Sequence, residues 1–277
     1  MKRIQSDSCA QPVSGSRLAP LFSRLRDGRR VGLMPFLTCG YPDTATTTQL
    51  IPALEEAGAD ALELGVPFSD PVADGVTIQR ASQAALGNGI TLAKCLETLG
   101  MARRRAGVRM PILLMGYYNV FLAYGLERLA GDLASVGGDG LIVPDLPPEE
   151  SVPLREALGS HGLDLISFVA PTSTDARIRE IAAQAGGFIY CVSVTGVTGA
   201  RASLSDELPA LLRRVRKIAD IPLVAGFGIS RPEHISRLRG IADAAIVASA
   251  LLDLLDGVDA SRRIAAAQEF VRALKNA

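Results

Sequence analysis

Eight short apolar runs alternate with helical segments along most of the chain, and this alternation constrains the fold more than any other feature. The runs span residues 32–38, 60–65, 111–115, 140–143, 163–169, 188–192, 222–225 and 244–248. Most are continuously apolar, as expected for parallel strands that are buried on both faces. Eight strand–helix units in about 245 residues favour closure into a single (β/α)₈ barrel, with a doubly wound open sheet as the alternative.

An additional helix is predicted ahead of the first strand. Leu18, Leu21, Phe22 and Leu25 recur at helical spacing, which indicates an amphipathic helix over residues 17–26. Further helices are predicted at residues 44–57, 92–105, 149–160, 175–185 and 204–219. The polar segment 1–16 is expected to be a disordered or frayed tail, which leaves residues 17–277 as one catalytic barrel domain.

Charge and cysteine content exclude several classes of function. Lys plus Arg and Asp plus Glu each number 29, so nucleic acid and anionic membranes are poor partners. No apolar run reaches the roughly 18 residues of a membrane span, and residues 1–16 lack the apolar stretch of a secretory signal. The four cysteines are far apart, which predicts neither a disulfide framework nor a zinc site and fits a reducing cytoplasm.

Charged residues are almost absent from the predicted strands. None contains Lys or Arg, so no barrel lysine could form a Schiff base. Acidic residues within or at the edge of the runs are confined to Asp60, Glu63 and Asp164, with Asp145 just beyond one. Both histidines, His161 and His234, are in helix-like segments, so no metal-binding cluster is expected.

Glu63 is the best candidate for a catalytic residue. Side chains alternate along a strand, so if Leu62 and Leu64 face the helices, Glu63 points into the barrel near its C-terminal end. An unpaired carboxylate is costly to bury, so its pKa should rise towards neutrality, as suits a general acid and base. The structural alternative is a Glu that hydrogen-bonds to Ser, Thr or Tyr in the core.

Two connections are longer than a tight turn, at residues 66–79 and 193–203, and loops after barrel strands carry function in this architecture. The first contains Asp70 and Asp74. Asp70 precedes a proline and is interpreted as a turn residue. Asp74 could fold over Glu63, which would give two carboxyl groups in different environments that divide acid and base roles.

Glycine-rich segments follow the predicted strands six and seven, and a helix begins directly after strand eight. In such barrels, backbone N–H groups and a helix dipole between strands seven and eight often hold a phosphate without Lys or Arg. Four aromatic residues, at or just after the ends of strands one, three, six and seven, could line a pocket for a flat apolar group: Phe36, Tyr117, Tyr190 and Phe227.

These residues resemble the tryptophan synthase α-subunit family. The resemblance runs from about Leu18 to the C-terminus and is most specific at residues 57–75, AGADALELGVPFSDPVADG. Similar stretches are PFLT at 35–38, GVTG at 196–199 and GFGIS at 226–230. The resemblance implies retro-aldol cleavage of indole-3-glycerol phosphate to indole and glyceraldehyde 3-phosphate.

The resemblance also implies roles for individual residues. Glu63 would protonate the indole carbon and help to remove the hydroxyl proton, and Asp74 would stabilise positive charge at the indole N–H. The phosphate would be held by Gly199, Gly228, Ala248 and Ser249. The indole pocket would be lined by Phe36, Tyr117, Ile142, Tyr190 and Phe227.

The family resemblance further implies a partner. A β subunit carrying pyridoxal phosphate would bind in an αββα complex and receive indole through a tunnel, while the loops at 66–75 and 193–203 open and close. No cofactor and no metal are expected in this chain itself.

One residue departs from the family pattern, and two other functions stay open. The family usually has Gly-Ser after strand eight, where this chain has Ala248 and Ser249, so an added methyl group could crowd the phosphate or resist a positive φ. A phosphate-binding barrel isomerase of the same pathway is one alternative. The other is a non-catalytic chain that only activates the β subunit.

Overall fold

The computed structural model describes residues 15–192, 207–226 and 228–276. Eight parallel strands pair in chain order, and the last pairs with the first to close a barrel. The strands are β1 (Gly32–Thr38), β2 (Leu62–Gly65), β3 (Ile112–Met115), β4 (Gly140–Ile142), β5 (Asp164–Val169), β6 (Ile189–Cys191), β7 (Leu223–Ala225) and β8 (Ala244–Val247). Each lies within its predicted run, so the (β/α)₈ prediction is confirmed and the open-sheet alternative is wrong.

Helices surround the barrel on its outer face. Within the described residues they are α1 (Leu18–Asp27), α2 (Thr44–Glu56), α3 (Val76–Gly87), α4 (Leu92–Arg104), α5 (Tyr118–Tyr124), α6 (Leu126–Ser135), α7 (Val152–Gly159), α8 (Asp175–Gln184), α9 (Glu207–Ile218), α10 (Pro232–Leu238), α11 (Ser249–Asp256) and α12 (Arg263–Lys275). Short 3₁₀ turns cover Pro148–Glu150 and Ala260–Arg262. No helix in this part of the chain is long and apolar enough to cross a membrane.

Two predicted element boundaries were wrong. The connection 66–79 ends earlier than expected, because α3 already begins at Val76 after an extended Gly75 N-cap. The predicted helix 149–160 is instead a 3₁₀ turn followed by α7. Pro153 explains this break, because it has no N–H to donate to the carbonyl of residue 149 in a continuous helix.

The predicted additional helix closes the N-terminal end of the barrel. Its buried residues Leu18, Leu21, Phe22 and Leu25 pack in one cluster with the inward side chains of the strands. The Phe22 ring lies 5.7 Å from that of Phe188, which directly precedes β6. This end of the barrel is therefore filled by apolar side chains. The predicted tail lies outside the described residues as far as residue 14.

Candidate active site

Glu63 projects into the barrel from the middle of β2, as the alternation of side chains predicted. Its neighbours Leu62 and Leu64 pack in the apolar layer between strands and helices, while Glu63 lines a cavity inside the C-terminal end. The strand register places it beside Phe36 of β1 and Leu113 of β3. The side chain is therefore fixed by two flanking strands and is only 1% exposed.

Among the described residues, Glu63 has no charge partner that would keep it ionised. Its Oε2 atom is buried without a hydrogen-bond partner among the described residues, which disfavours the structural alternative of a hydrogen-bonded core Glu. Burial raises the pKa of Glu63 to about 8, with a further contribution from the negative charge of Asp74. The carboxyl group therefore carries a proton at neutral pH and can donate it to a bound molecule.

Asp74 is brought to the same cavity by the loop that follows β2. Its side chain is buried, and the loop is held by hydrogen bonds from the Asp74 N–H to the Pro71 carbonyl (3.2 Å) and from Gln79 Nε2 to the Asp74 carbonyl (2.9 Å). Burial raises the pKa of Asp74 to about 6, although a hydrogen bond from Tyr117 opposes the rise. Asp70, in contrast, is exposed and accepts a hydrogen bond from Ser69, which fits its interpretation as a turn residue.

Tyr117 contacts the loop and does not line the cavity. Its ring stacks on Phe68 with centroids 5.0 Å apart, and its hydroxyl accepts a 2.9 Å hydrogen bond from the Ala73 N–H. Burial, together with the Asp74 carboxylate, raises the pKa of Tyr117, so the hydroxyl stays protonated and donates to Asp74. Tyr117 thus holds the loop that carries the Asp74 carboxyl group. Ile142 is fully buried in the barrel interior and is also absent from the lining.

The cavity has a volume of about 300 Å³ and is mainly apolar. Phe36 and Tyr190 line it, as predicted from the ends of β1 and β6. The Tyr190 ring stacks on that of Phe168 with centroids 4.9 Å apart and an angle of 27° between the planes. Gly226 permits this position, because a Cβ atom there would lie 1.8 Å from Tyr190 Cε1. Such a surface is suited to a flat aromatic ligand.

Several lining residues were missed in the sequence. Apart from Ile78 in the first turn of α3, they belong to strands or to the segments that follow them: Ile78, Met115, Pro144, Phe168, Val192, Ile229 and Ile246. Phe168 could have been found, because it pairs directly with Tyr190 between β5 and β6 and so shares its orientation. The others carry no signal that separates them from ordinary core residues.

Residues that follow β7 and β8 form another side of the cavity. Gly228, Ala248, Ser249 and Ala250 line it, and no Lys or Arg does so among the described residues. Ser249 begins α11, and Ala248 provides no side-chain cap. The first N–H groups of a helix have no partner within the helix, and its dipole is positive at this end, so this side can bind an anion.

Gly228 and Ala248 differ in backbone conformation. Gly228 has a φ of +70°, which favours glycine although a Cβ atom would meet nothing within 4 Å. Ala248 has a φ of −116°, so of the two effects considered for this alanine, resistance to a positive φ does not arise. The described residues do not include Gly199, Phe227 or the connection 193–203 with its GVTG motif.

Other catalytic groups are scarce in the described part of the chain. No group of three His, Cys, Asp or Glu residues there could hold a metal ion. Cys39, Cys95 and Cys191 are buried free thiols, as expected for small core residues. Among the described residues, the cavity presents two carboxyl groups with raised pKa values, Glu63 and Asp74.

Comparisons with known proteins agree with this geometry. The family model described as tryptophan synthase alpha chain matches residues 22–277. Tryptophan synthase alpha chains from Roseiflexus sp. and Chloroflexus aurantiacus are 57% and 54% identical to the chain; the alignments cover 94% and 95% of it and 99% and 98% of those relatives.

The structural comparison gives the same result. A chain from the structure of Mycobacterium tuberculosis tryptophan synthase superimposes with a TM-score of 0.87 at 38% identity, over 95% of this chain and 98% of that one. The chain therefore belongs to the tryptophan synthase alpha chain family.

Proposed function

We propose that this chain performs the reaction of its family with Glu63 as the general acid and base. It is a carbon–carbon lyase of tryptophan biosynthesis that cleaves indole-3-glycerol phosphate into indole and glyceraldehyde 3-phosphate. The observation that carries the assignment of Glu63 is its burial without a partner in the cavity, with its pKa raised to about 8. The family match favours this lyase over an isomerase.

The substrate has two ends that correspond to the two sides of the cavity. We place the indole against the stacked rings of Phe168 and Tyr190, with Phe36 on the same apolar side. The phosphate would accept hydrogen bonds from the backbone at Gly228 and at Ser249 in the first turn of α11. Gly199 and Phe227 are proposed for the same two sites from the family resemblance.

The proposed reaction needs one proton to be delivered and one removed. Protonated Glu63 donates to C3 of the indole, which leaves positive charge at the ring nitrogen, where the Asp74 carboxylate stabilises it. The Glu63 carboxylate then accepts the proton of the hydroxyl on the carbon attached to C3. The bond between these two carbons breaks, its electrons return to the indole ring, and the hydroxyl carbon becomes the aldehyde. Glu63 ends the cycle protonated.

We further propose a β-subunit partner that carries pyridoxal phosphate, in an αββα complex, and no cofactor in this chain. The mouth of the cavity supports a partner, because the side chains of Val72 and Val76, on either side of Asp74, are 85% and 71% exposed. A protein that covers these side chains could alter the position of Asp74 and hence the rate. We place the enzyme in the cytoplasm, where the free thiols would stay reduced.

Indole formation tests this function. We expect the purified chain to release indole slowly from indole-3-glycerol phosphate and to do so faster when a tryptophan synthase β subunit is added. The Glu63→Gln variant should lose about 10²–10⁴ in kcat, because this is the contribution of general acid–base catalysis. Absence of indole with and without the β subunit would rule out the function, and a loss below tenfold in the variant would rule out the role of Glu63.

A further inference from the structure

A buried histidine lies behind the phosphate side of the cavity without lining it. His234 is the third residue of α10, and its side chain is 4% exposed. Its Nδ1 atom accepts a 3.2 Å hydrogen bond from the backbone N–H of Ser230. The backbone of Gly228 also lies near the ring and favours its protonated form.

Both backbone contacts of His234 are in the short segment that joins β7 to α10. At its start this segment is fixed by the Gly226 N–H, which donates to the Cys191 carbonyl at 3.1 Å. At its other end it is fixed by the Ser230 N–H, which donates to His234 Nδ1. Gly228 lies between these two anchors, has a φ of +70°, and borders the cavity. Loss of the His234 side chain would therefore release the Ser230 end of the segment, two residues from the proposed phosphate contact at Gly228.

The environment of His234 maintains an acceptor at Nδ1. Burial lowers its pKa, and the nearby positive charges of Arg231 and Arg237 act in the same direction, against Glu233 and the Gly228 contact. The imidazole is consequently neutral at neutral pH and has one unprotonated nitrogen and one N–H group. The unprotonated nitrogen is the acceptor to which the Ser230 N–H donates.

We propose that His234 is a positioning residue that holds Gly228 in the conformation that binds the substrate phosphate. The proposal rests on the proposed function, since it assumes that the phosphate binds beside Gly228. The alternative role is purely structural: an acceptor at the third helical position can stabilise the start of a helix. The two roles differ in which measurement responds, because positioning affects phosphate binding whereas capping alone affects only stability.

Three variants separate these roles. His234→Leu removes the hydrogen bond from the Ser230 N–H and the polar ring beside Gly228, and His234→Asn retains an acceptor close to the position of Nδ1. Thr174→Ala is the matched control, because the Thr174 side chain caps α8 by accepting from the Arg177 N–H and does not line the cavity. We would measure kcat and KM for indole-3-glycerol phosphate, the Kd of inorganic phosphate by calorimetry, and Tm.

We expect His234→Leu to raise both KM and the Kd of inorganic phosphate about five- to tenfold, with kcat within about twofold of wild type, since a lost hydrogen bond typically changes binding by this amount. His234→Asn should restore both values to within about threefold. Thr174→Ala should lower Tm and leave KM and Kd unchanged. If His234→Leu does not fold, His234→Gln, whose acceptor is displaced by one bond, should show the same rise in KM.

Unchanged KM and Kd in the folded Leu or Gln variant would overturn the proposal, as would a loss confined to kcat. An Asn variant that regains Tm but not phosphate affinity would overturn it as well. A wild-type protein that neither cleaves indole-3-glycerol phosphate nor binds phosphate would instead contradict the proposed function, so the two failures are distinguishable.

Discussion

The two carboxyl groups of the cavity differ in how they are held. Glu63 belongs to a strand with a neighbour on each side, has an Oε2 atom without a hydrogen-bond partner among the described residues, and has its pKa raised to about 8. Asp74 belongs to a loop, receives a hydrogen bond from Tyr117, and has its pKa raised only to about 6. Between these values one group is protonated and the other is ionised, which is the division of roles that the cleavage requires.

Glu63 should also reduce the stability of the protein. A carboxyl group whose pKa is higher in the folded than in the unfolded chain binds more protons when folded, so stability falls as the pH rises between the two values. For Glu63 this window runs from its ordinary value of 4.5 to about 8. Glu63→Gln, which cannot ionise, should therefore gain stability relative to wild type as the pH increases.

One pKa unit corresponds to about 1.4 kcal/mol, so we expect this relative gain to reach about 2–4 kcal/mol between pH 5 and pH 8. Urea unfolding of both proteins at the two pH values measures it. Glu97→Gln, at an exposed position of α4, is the control for a Glu-to-Gln change without burial. A relative stability that does not change with pH would contradict the pKa assigned to Glu63.

The sequence predicted the orientation of Glu63 but not the contact of Tyr117 with the loop that carries Asp74. The orientation of Glu63 follows from strand alternation alone, and its unusual character follows from the absence of other charges in the neighbouring runs. The contact of Tyr117 with the Asp74 loop joins residues 44 positions apart and depends on how the loop folds back. No local pattern contains that information, so the residue was grouped with the aromatic lining.

At the scale of elements, the strands were more predictable than the helix starts. Continuous apolar runs are a direct consequence of burial on both faces, so all eight strands appeared at their predicted places. The start of α3 was missed because its first turn, Val76 to Ile78, contains β-branched residues with low helix propensity. Burial of Thr77 and Ile78 in the structure outweighs that preference.

An aspartate at the N-terminal end of the barrel recurs before three of the strands. These residues are Asp60 before β2, Asp139 before β4 and Asp243 before β8. Each accepts a hydrogen bond from a backbone N–H of the strand that precedes it in the barrel. Each also forms ion pairs with basic residues from other elements. These aspartates therefore join neighbouring strands to the surrounding elements, away from the cavity.

Asp139 provides the test of this arrangement. It is fully buried and pairs with Arg103 at 2.9 Å and with Arg17 at 3.0 Å. Asp139→Asn leaves two guanidinium groups without their counter-charge, and we expect a loss of about 3 kcal/mol in urea unfolding. Asp220→Asn is the control, because the Asp220 side chain is 96% exposed and its pair with Arg26 should contribute less than about 1 kcal/mol. Equal losses in the two variants would contradict the role of Asp139.

At the scale of the whole molecule, stability and catalysis are located at opposite ends of the barrel. The N-terminal end is filled by α1 and by the apolar side chains it contacts, and the C-terminal end holds the cavity. The sequence predicted both the closed barrel and α1, but not which end α1 covers. That position depends on long-range packing, such as the contact of Phe22 with Phe188.

Two phenylalanines at opposite ends test this separation. Phe22→Ala should lower the free energy of unfolding by about 3–5 kcal/mol and leave KM for indole-3-glycerol phosphate unchanged. Phe168→Ala, in the half-buried wall of the cavity, should raise KM by roughly tenfold with a smaller loss of stability. Steady-state kinetics and urea unfolding of both variants give the comparison. A change in KM for Phe22→Ala equal to that for Phe168→Ala would contradict the separation.

The central claim is that Glu63 begins the reaction in its protonated form, and the pH dependence of kcat/KM for indole-3-glycerol phosphate tests it most directly. Below about pH 6 the rate should fall, but Asp74 and the substrate phosphate both titrate there, so the alkaline side is decisive. Because Glu63 loses its proton above about pH 8, we expect kcat/KM to decline there. The residual rate of Glu63→Gln should lack this decline. A wild-type kcat/KM that rises as the pH passes through 8 would contradict the account.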